Sequence, residues 1–253
     1  MALVAASSGV IVFPTVSTMS IVLLPAGLLA WSIQRGLRTG EWWTGLIAGL
    51  ATYAYAFFSF SVTVFGLTVA LALLVQLIAR WDRLRNAIVV CVTALVVLAC
   101  CQLAMQAVTG FDLFKCFRLA VAGHEAQQQS DPFRPAYMWW LRSTGNLLAY
   151  AFSVAPLLGV GFMLLLRRGV LSRPAAAWML ATTLALLIGS FGGLFWLETE
   201  RIWIFFTPIL AIAAAASIRS CTTGIEQRDT QLLLLIACVA LTITFEAVFV
   251  PYL

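Results

Sequence analysis

Charged side chains are scarce in this sequence. Asp, Glu, Lys and Arg make up 10% of its 253 residues and hydrophobic residues 62%, whereas a soluble domain carries roughly 25% charged residues. No soluble fold hides that much apolar surface. Several windows of about 20 residues hold no charge at all, the length that crosses a hydrocarbon core of about 30 Å. The chain therefore reads as an all-α bundle of helices in lipid.

Other absences narrow the chemistry. The sequence holds 1 histidine, and His124-Glu125 does not begin a zinc-binding H-E-x-x-H helix because position 128 is Gln. There is no nucleophile elbow, P-loop or dinucleotide fingerprint. The 6 cysteines (Cys91, Cys100, Cys101, Cys116, Cys221, Cys238) form no C-x-x-C pair, so they read as small apolar packing residues. No metal and no cofactor is expected. The net charge of +5 is dispersed between apolar runs instead of forming a patch, which argues against a nucleic-acid partner. No Lys or Arg precedes Arg35, so the amino end does not read as a secretory signal with a basic region, and its first segment is expected to stay in place. Lipidation motifs, low-complexity tracts and internal repeats are also missing.

What is present is a series of apolar runs punctuated by charge. Leu3 to Phe13 is too short to span and ends at Pro14; a longer run from Met19 to Ile33 is closed by Arg35, Arg38 and Glu41. Trp43 to Ala79 carries no charge and, at 1.5 Å per residue, is too long for one crossing. It is expected to fold as two helices, 43–58 and 62–79, turning at Ser59-Phe60-Ser61. Gly45-x-x-x-Gly49 on the first points to close helix packing. Further spans are expected at Asn86–Val108, Gly145–Leu166, from Pro174 to Leu194 with an N1 proline, Ile202–Ile218 and Gln231–Phe249. The total is about eight spans in one transmembrane domain over 1–253, with a polar loop at 109–143.

Alternating sides along these spans sorts the cations. Arg35, Arg38, Arg80, Arg83, Arg85, Arg167, Arg168, Arg173, Arg219 and Arg228 collect on one side; Lys115, Arg118, Arg134, Arg142 and Arg201 remain on the other. The positive-inside rule assigns the first set to the cytoplasm. The 109–143 loop and Glu198-Thr199-Glu200-Arg201 then face outward. So does the amino terminus, with no basic segment ahead of it, which predicts the carboxyl-terminal part of a longer or split membrane protein.

Charge held between spans is expensive unless something uses it. Glu198, Glu200 and Arg201 lie between two apolar runs and are flanked by Trp196, Trp203 and Phe205. They read either as an exposed loop with an internal salt bridge or as a site at the membrane boundary, where desolvation strengthens the pairing. In the outward loop, Phe111, Phe114, Phe117 and Val121 oppose Asp112, Lys115 and Arg118, the pattern of an amphipathic helix lying in the interface. Lys115 and Arg118 suit either a connector or a seat for a lipid phosphate. His124 reads as a loop histidine or a substrate contact. Tyr137, Trp139 and Trp140 beside Arg142 make an interfacial belt or a sugar-stacking surface. Glu246, deep in the last apolar run, requires a protein partner such as Arg201 or Arg142.

Glu198-x-Glu200-Arg201-Ile202-Trp203-x-Phe205-x-x-Pro208 resembles a run in polytopic bacterial glycosyltransferases of the GT-C type, where it ends an outward loop and starts a late helix. Ala48-Gly49-Leu50 leading to Phe57-Phe58-Ser59-Phe60-Ser61, and Phe111-Asp112 leading through Phe117-Arg118 to His124, are similar to their middle section. The resemblance implies a truncated or split glycosyltransferase in the bacterial inner membrane, transferring sugar from a polyprenyl-phosphate donor at the outward face. Its partners would be membrane lipids, the lipid-linked donor and a separately encoded amino-terminal part. In that family an acid in the first outward loop activates the acceptor. The place of that loop is expected ahead of this sequence. Phe13-Pro14-Thr15 resembles a later family segment that often continues to an acid, and Val16, Ser17 and Thr18 stand there instead. Glu198 or Glu200 is therefore the expected replacement catalytic carboxylate, outside the family pattern. Arg201, Lys115, Arg118, His124 and Glu246 are the expected substrate contacts. Two rivals remain: a transporter or flippase with Glu246 on its path, and a noncatalytic remnant or assembly subunit.

The charge sorting predicts that cysteines introduced at 83 and 168 are labelled from the cytoplasmic side and one at 201 from the opposite side. Labelling of all three from one side would overturn the orientation.

Overall fold

The computed structural model describes residues 22–59, 61–130, 136–162, 174–191, 206–221, 227, 229–238 and 240. Among these it is helical throughout, without a strand. In chain order the helices are α1 (Leu23–Thr39), α2 (Trp42–Phe58), α3 (Val62–Ala79), a 3₁₀ turn at Trp81–Arg83, α4 (Leu84–Thr109), α5 (Leu113–Ser130), α6 (Ala136–Ser153), α7 (Ala155–Phe162), α8 (Pro174–Phe191) and α9 (Thr207–Cys221). A short apolar helix, α10, follows at Asp229–Cys238.

Three of the described helical segments are long and apolar enough to cross a membrane: Val62–Ala79, Trp81–Thr109 and Pro174–Phe191. This is a helical membrane protein. α1 and α2, at 17 residues each, reach about 26 Å at 1.5 Å per residue, just under the hydrocarbon thickness. The α2–α3 hairpin turns where Ser59 and Ser61 stand: their hydroxyls lie 2.7 Å apart, and Ser61 Oγ donates to Tyr55 Oη at 3.1 Å.

The polar segment 109–143 contains more helix than the amphipathic stretch alone. α5 runs on to Ser130 and α6 already starts at Ala136. The span read as Gly145–Leu166 is interrupted at Val154, and α7 opens at Ala155 with Pro156 in its first turn, where a missing N–H leaves no helical bond unmade.

Small residues and a few polar contacts between helices hold the bundle together. On α2, Gly45 and Gly49 face α4 so closely that an added Cβ would lie 2.6 Å from Thr93 Cβ and 2.6 Å from the Ala94 carbonyl oxygen, respectively. α1 ends on Gly40 in the left-handed conformation, φ 70°, its N–H donating to the Gly36 carbonyl. Asn86 Nδ2 of α4 donates to the Leu37 carbonyl at 3.2 Å, a group the helix end leaves without a partner. Ser143 of α6 and Ser190 of α8 exchange hydroxyl-to-carbonyl bonds of 3.0 and 2.8 Å, both buried. α3 and α8 pack side by side and run in opposite directions, since Val64 near the start of one meets Gly189 near the end of the other. Outside, α4 leaves Ile88, Val92, Leu95 and Leu103 exposed, a surface suited to acyl chains.

Gly49→Val should therefore lower stability by about 1–3 kcal/mol through overpacking, read as an earlier thermal transition of the detergent-solubilised protein. Gly66→Val, where nothing described lies within 4 Å, serves as the comparison. Equal transitions for the two variants would contradict the close α2–α4 approach.

Candidate functional site

A cleft lies between α1, α8 and α9. Its volume is about 550 Å³, within the range of small-ligand sites. Helical spacing explains its walls. On α1 the residues Ala26, Ala30, Gln34 and Arg38 recur every fourth position along one face, and on α9 Pro208, Ile212, Ala216 and Arg219 follow at spacings of four, four and three. Alanines at 26, 30 and 216 and a glycine at 27 leave space that larger side chains would close. Phe65 of α3 lines the far end, and Pro174, Ala175 and Trp178 of α8 complete the near end. Trp31 and Ile212 line the cleft and are 46% and 61% exposed, so its rim reaches the outside of the bundle.

The cleft is asymmetric. From Phe65, Pro208 and Ile209 it is apolar until Gln34, Arg38 and Arg219. Arg38 and Arg219 each sit in the last turn of their helix, where the carbonyl ends favour a cation. Both are exposed, and neither has an acidic partner among the described residues. Gln34 spans the gap to α8: its Oε1 accepts a 3.0 Å bond from Trp178 Nε1, while its buried Nε2 has no partner among the described residues.

Beside this end lies a second cavity of about 290 Å³, lined by Trp31, Gln34, Arg35, Arg38 and Thr39. Arg35 is occupied here. Its Nε is 3.2 Å from Glu41 Oε2, and its guanidinium stands 4.9 Å from the Trp43 ring centroid and 5.8 Å from that of Trp31, within reach of cation–π attraction. Thr39 Oγ1 also donates to Glu41 Oε2, at 3.1 Å. Glu41 thus offsets Arg35 and leaves Arg38 to the cleft.

Of the residues singled out in the sequence, Lys115 and Arg118 lie exposed on α5, with no ion pair among the described residues. Asp112 begins that helix as an N-cap, its Oδ1 accepting from the N–H groups of Phe114 at 2.9 Å and Lys115 at 3.1 Å. It is a structural residue, not a counter-charge. His124 falls within α5, its side chain outside the described residues, and Glu198, Glu200, Arg201 and Glu246 also lie outside them. In sequence Arg38 and Arg219 read only as topology signals, and nothing marks Gln34 or Trp178 taken singly. The available signal was a glutamine one turn before an arginine at the end of an apolar run. The described residues contain no group of three or more His, Cys, Asp or Glu able to hold a metal ion. No family model, curated protein or solved structure matches the chain.

Proposed function

We propose that this chain is a multi-pass integral membrane protein that takes the apolar chain of a membrane lipid into the α1–α8–α9 cleft. One observation carries the reading: a cleft of about 550 Å³ walled mainly by Ala, Gly, Pro, Ile, Phe and Trp residues, with an exposed rim on the outside of the bundle. A pocket of this size and lining suits a hydrocarbon chain, which enters from surrounding lipid without crossing water. The antiparallel α3 and α8 and the split of cations between the span ends support a bundle that crosses a cell membrane several times, with the arginine-rich ends in the cytoplasm.

A second reading adds chemistry. Pro208 at the far end of the cleft stands seven residues after Arg201. The stretch that holds Arg201, Glu198-Thr199-Glu200-Arg201, is the one that resembles GT-C glycosyltransferases. In this reading the protein transfers a sugar from a lipid phosphate donor; Arg201 offsets the phosphate charge, and a carboxylate orients the acceptor or takes its proton.

Ala30→Phe fills the cleft and should lower the amount of lipid that co-purifies per protein while leaving the size-exclusion profile intact. An unchanged lipid content in a well-folded variant would remove the cleft reading. For sugar transfer, purified protein given a polyprenyl-phosphate sugar should turn the donor over, and Arg201→Ala should abolish the turnover. No turnover, even with a preceding amino-terminal part supplied, would eliminate the second reading.

A further inference from the structure

A lipid chain in this cleft brings a head group, and the two ends differ in what they offer it. Among the described lining residues, the Pro208 end presents only apolar side chains. The opposite end presents two guanidiniums without acidic partners and one buried amide N–H donor without an acceptor, again among the described residues. An unsatisfied buried donor costs free energy unless something accepts from it. Two arginines beside it narrow the acceptor to an anion, and planar guanidiniums suit phosphate oxygens in particular.

We propose that this end of the cleft seats the phosphate of an anionic membrane phospholipid. Arg38 and Arg219 donate to its oxygens from two helices, Gln34 Nε2 donates from between them, and the acyl chain lies along Ala26, Ala30 and Ile212 towards Phe65. Trp178 acts as a positioning residue: its indole N–H occupies Gln34 Oε1 and so fixes the amide with its N–H₂ as the free group. The adjoining cavity of about 290 Å³ shares Trp31, Gln34 and Arg38 with the cleft and adds Arg35 and Thr39. It provides room for a polar substituent on the phosphate. Arg35, already paired with Glu41, adds a wall there more than a free charge.

The proposal rests on the lipid-chain reading and adds a direction to it. A head between Arg38 and Arg219 lies 11 residues along α9 from Pro208, about 16 Å at the helical rise. A phospholipid seated this way belongs to the leaflet at the arginine-bearing face and keeps its phosphate away from the Pro208 end of the cleft.

The test uses the full chain in mixed micelles holding equal amounts of phosphatidylglycerol and phosphatidylcholine with identical acyl chains, with bound lipid counted by native mass spectrometry. The protein should favour phosphatidylglycerol, and Arg38→Gln with Arg219→Gln should erase that preference, by roughly tenfold for each guanidinium lost, while lipid is still retained. Arg80→Gln with Arg85→Gln removes the same charge from exposed positions near the same face and should leave the preference in place. If this second pair erases it equally, the preference is general surface charge and the seat is wrong. If the preference survives Arg38→Gln with Arg219→Gln but Ala30→Phe abolishes retention, the head seat falls and the lipid-chain reading stands. If Ala30→Phe also changes nothing, both fall. Displacement of the phospholipid by an equal amount of polyprenyl phosphate would overturn the choice of a phospholipid.

Discussion

In lipid, helices gain little by hiding one leucine against another, because the surrounding acyl chains are as apolar as the side chains. What holds such a bundle is close approach of backbones and a small number of hydrogen bonds that lipid cannot supply. Both are visible here. Gly45 and Gly49 bring α2 onto α4, Asn86 ties α4 to the end of α1, and Ser143 and Ser190 join α6 to α8. Between α1 and α8, the Trp178–Gln34 bond spans 144 residues of sequence.

The same economy of side chains creates the cleft. Small residues facing one another normally let helices touch, but α1 presents Ala26, Gly27 and Ala30 to a region shared with two other helices, where their size leaves space instead. The bulk of Trp178 and Phe65 closes its ends without filling it. Charge enters only where two helices end, so the polar end of the cleft and the helix C-termini coincide at Arg38 and Arg219. One arrangement sets cations against the carbonyl ends of two helices and offers them to an anion.

Much of the architecture was legible in the sequence because lipid imposes simple rules. The charge-free run from Trp43 to Ala79 had to fold back on itself, and it does so at the two serines, with α3 occupying the expected residues. Pro174 opens α8 as an N1 proline should. Pro156 carried the same signal, but uninterrupted hydropathy from Gly145 to Leu166 hid the break between α6 and α7. The count of about eight spans was a finer statement than the three long apolar segments among the described residues. The cleft was not legible. Its arginines look like ordinary topology markers one helix at a time, and the free amide of Gln34 acquires meaning only once Trp178 is known to hold its other end. The acid–arginine stretch at 198–201, prominent in sequence, contributes no described geometry.

A lipid in this cleft, with its head at the arginine end, would carry the tip of its acyl chain to Phe65 and Ile209. Photo-crosslinking with a phospholipid carrying a diazirine at the tip of its acyl chain, followed by peptide mapping, tests this most directly. Adducts are expected to concentrate on the peptides containing Phe65 and Ile209, at the apolar end. Adducts on the peptides containing Arg38 or Arg219, or spread along the outer face of α4 with none at Phe65 or Ile209, would contradict that placement.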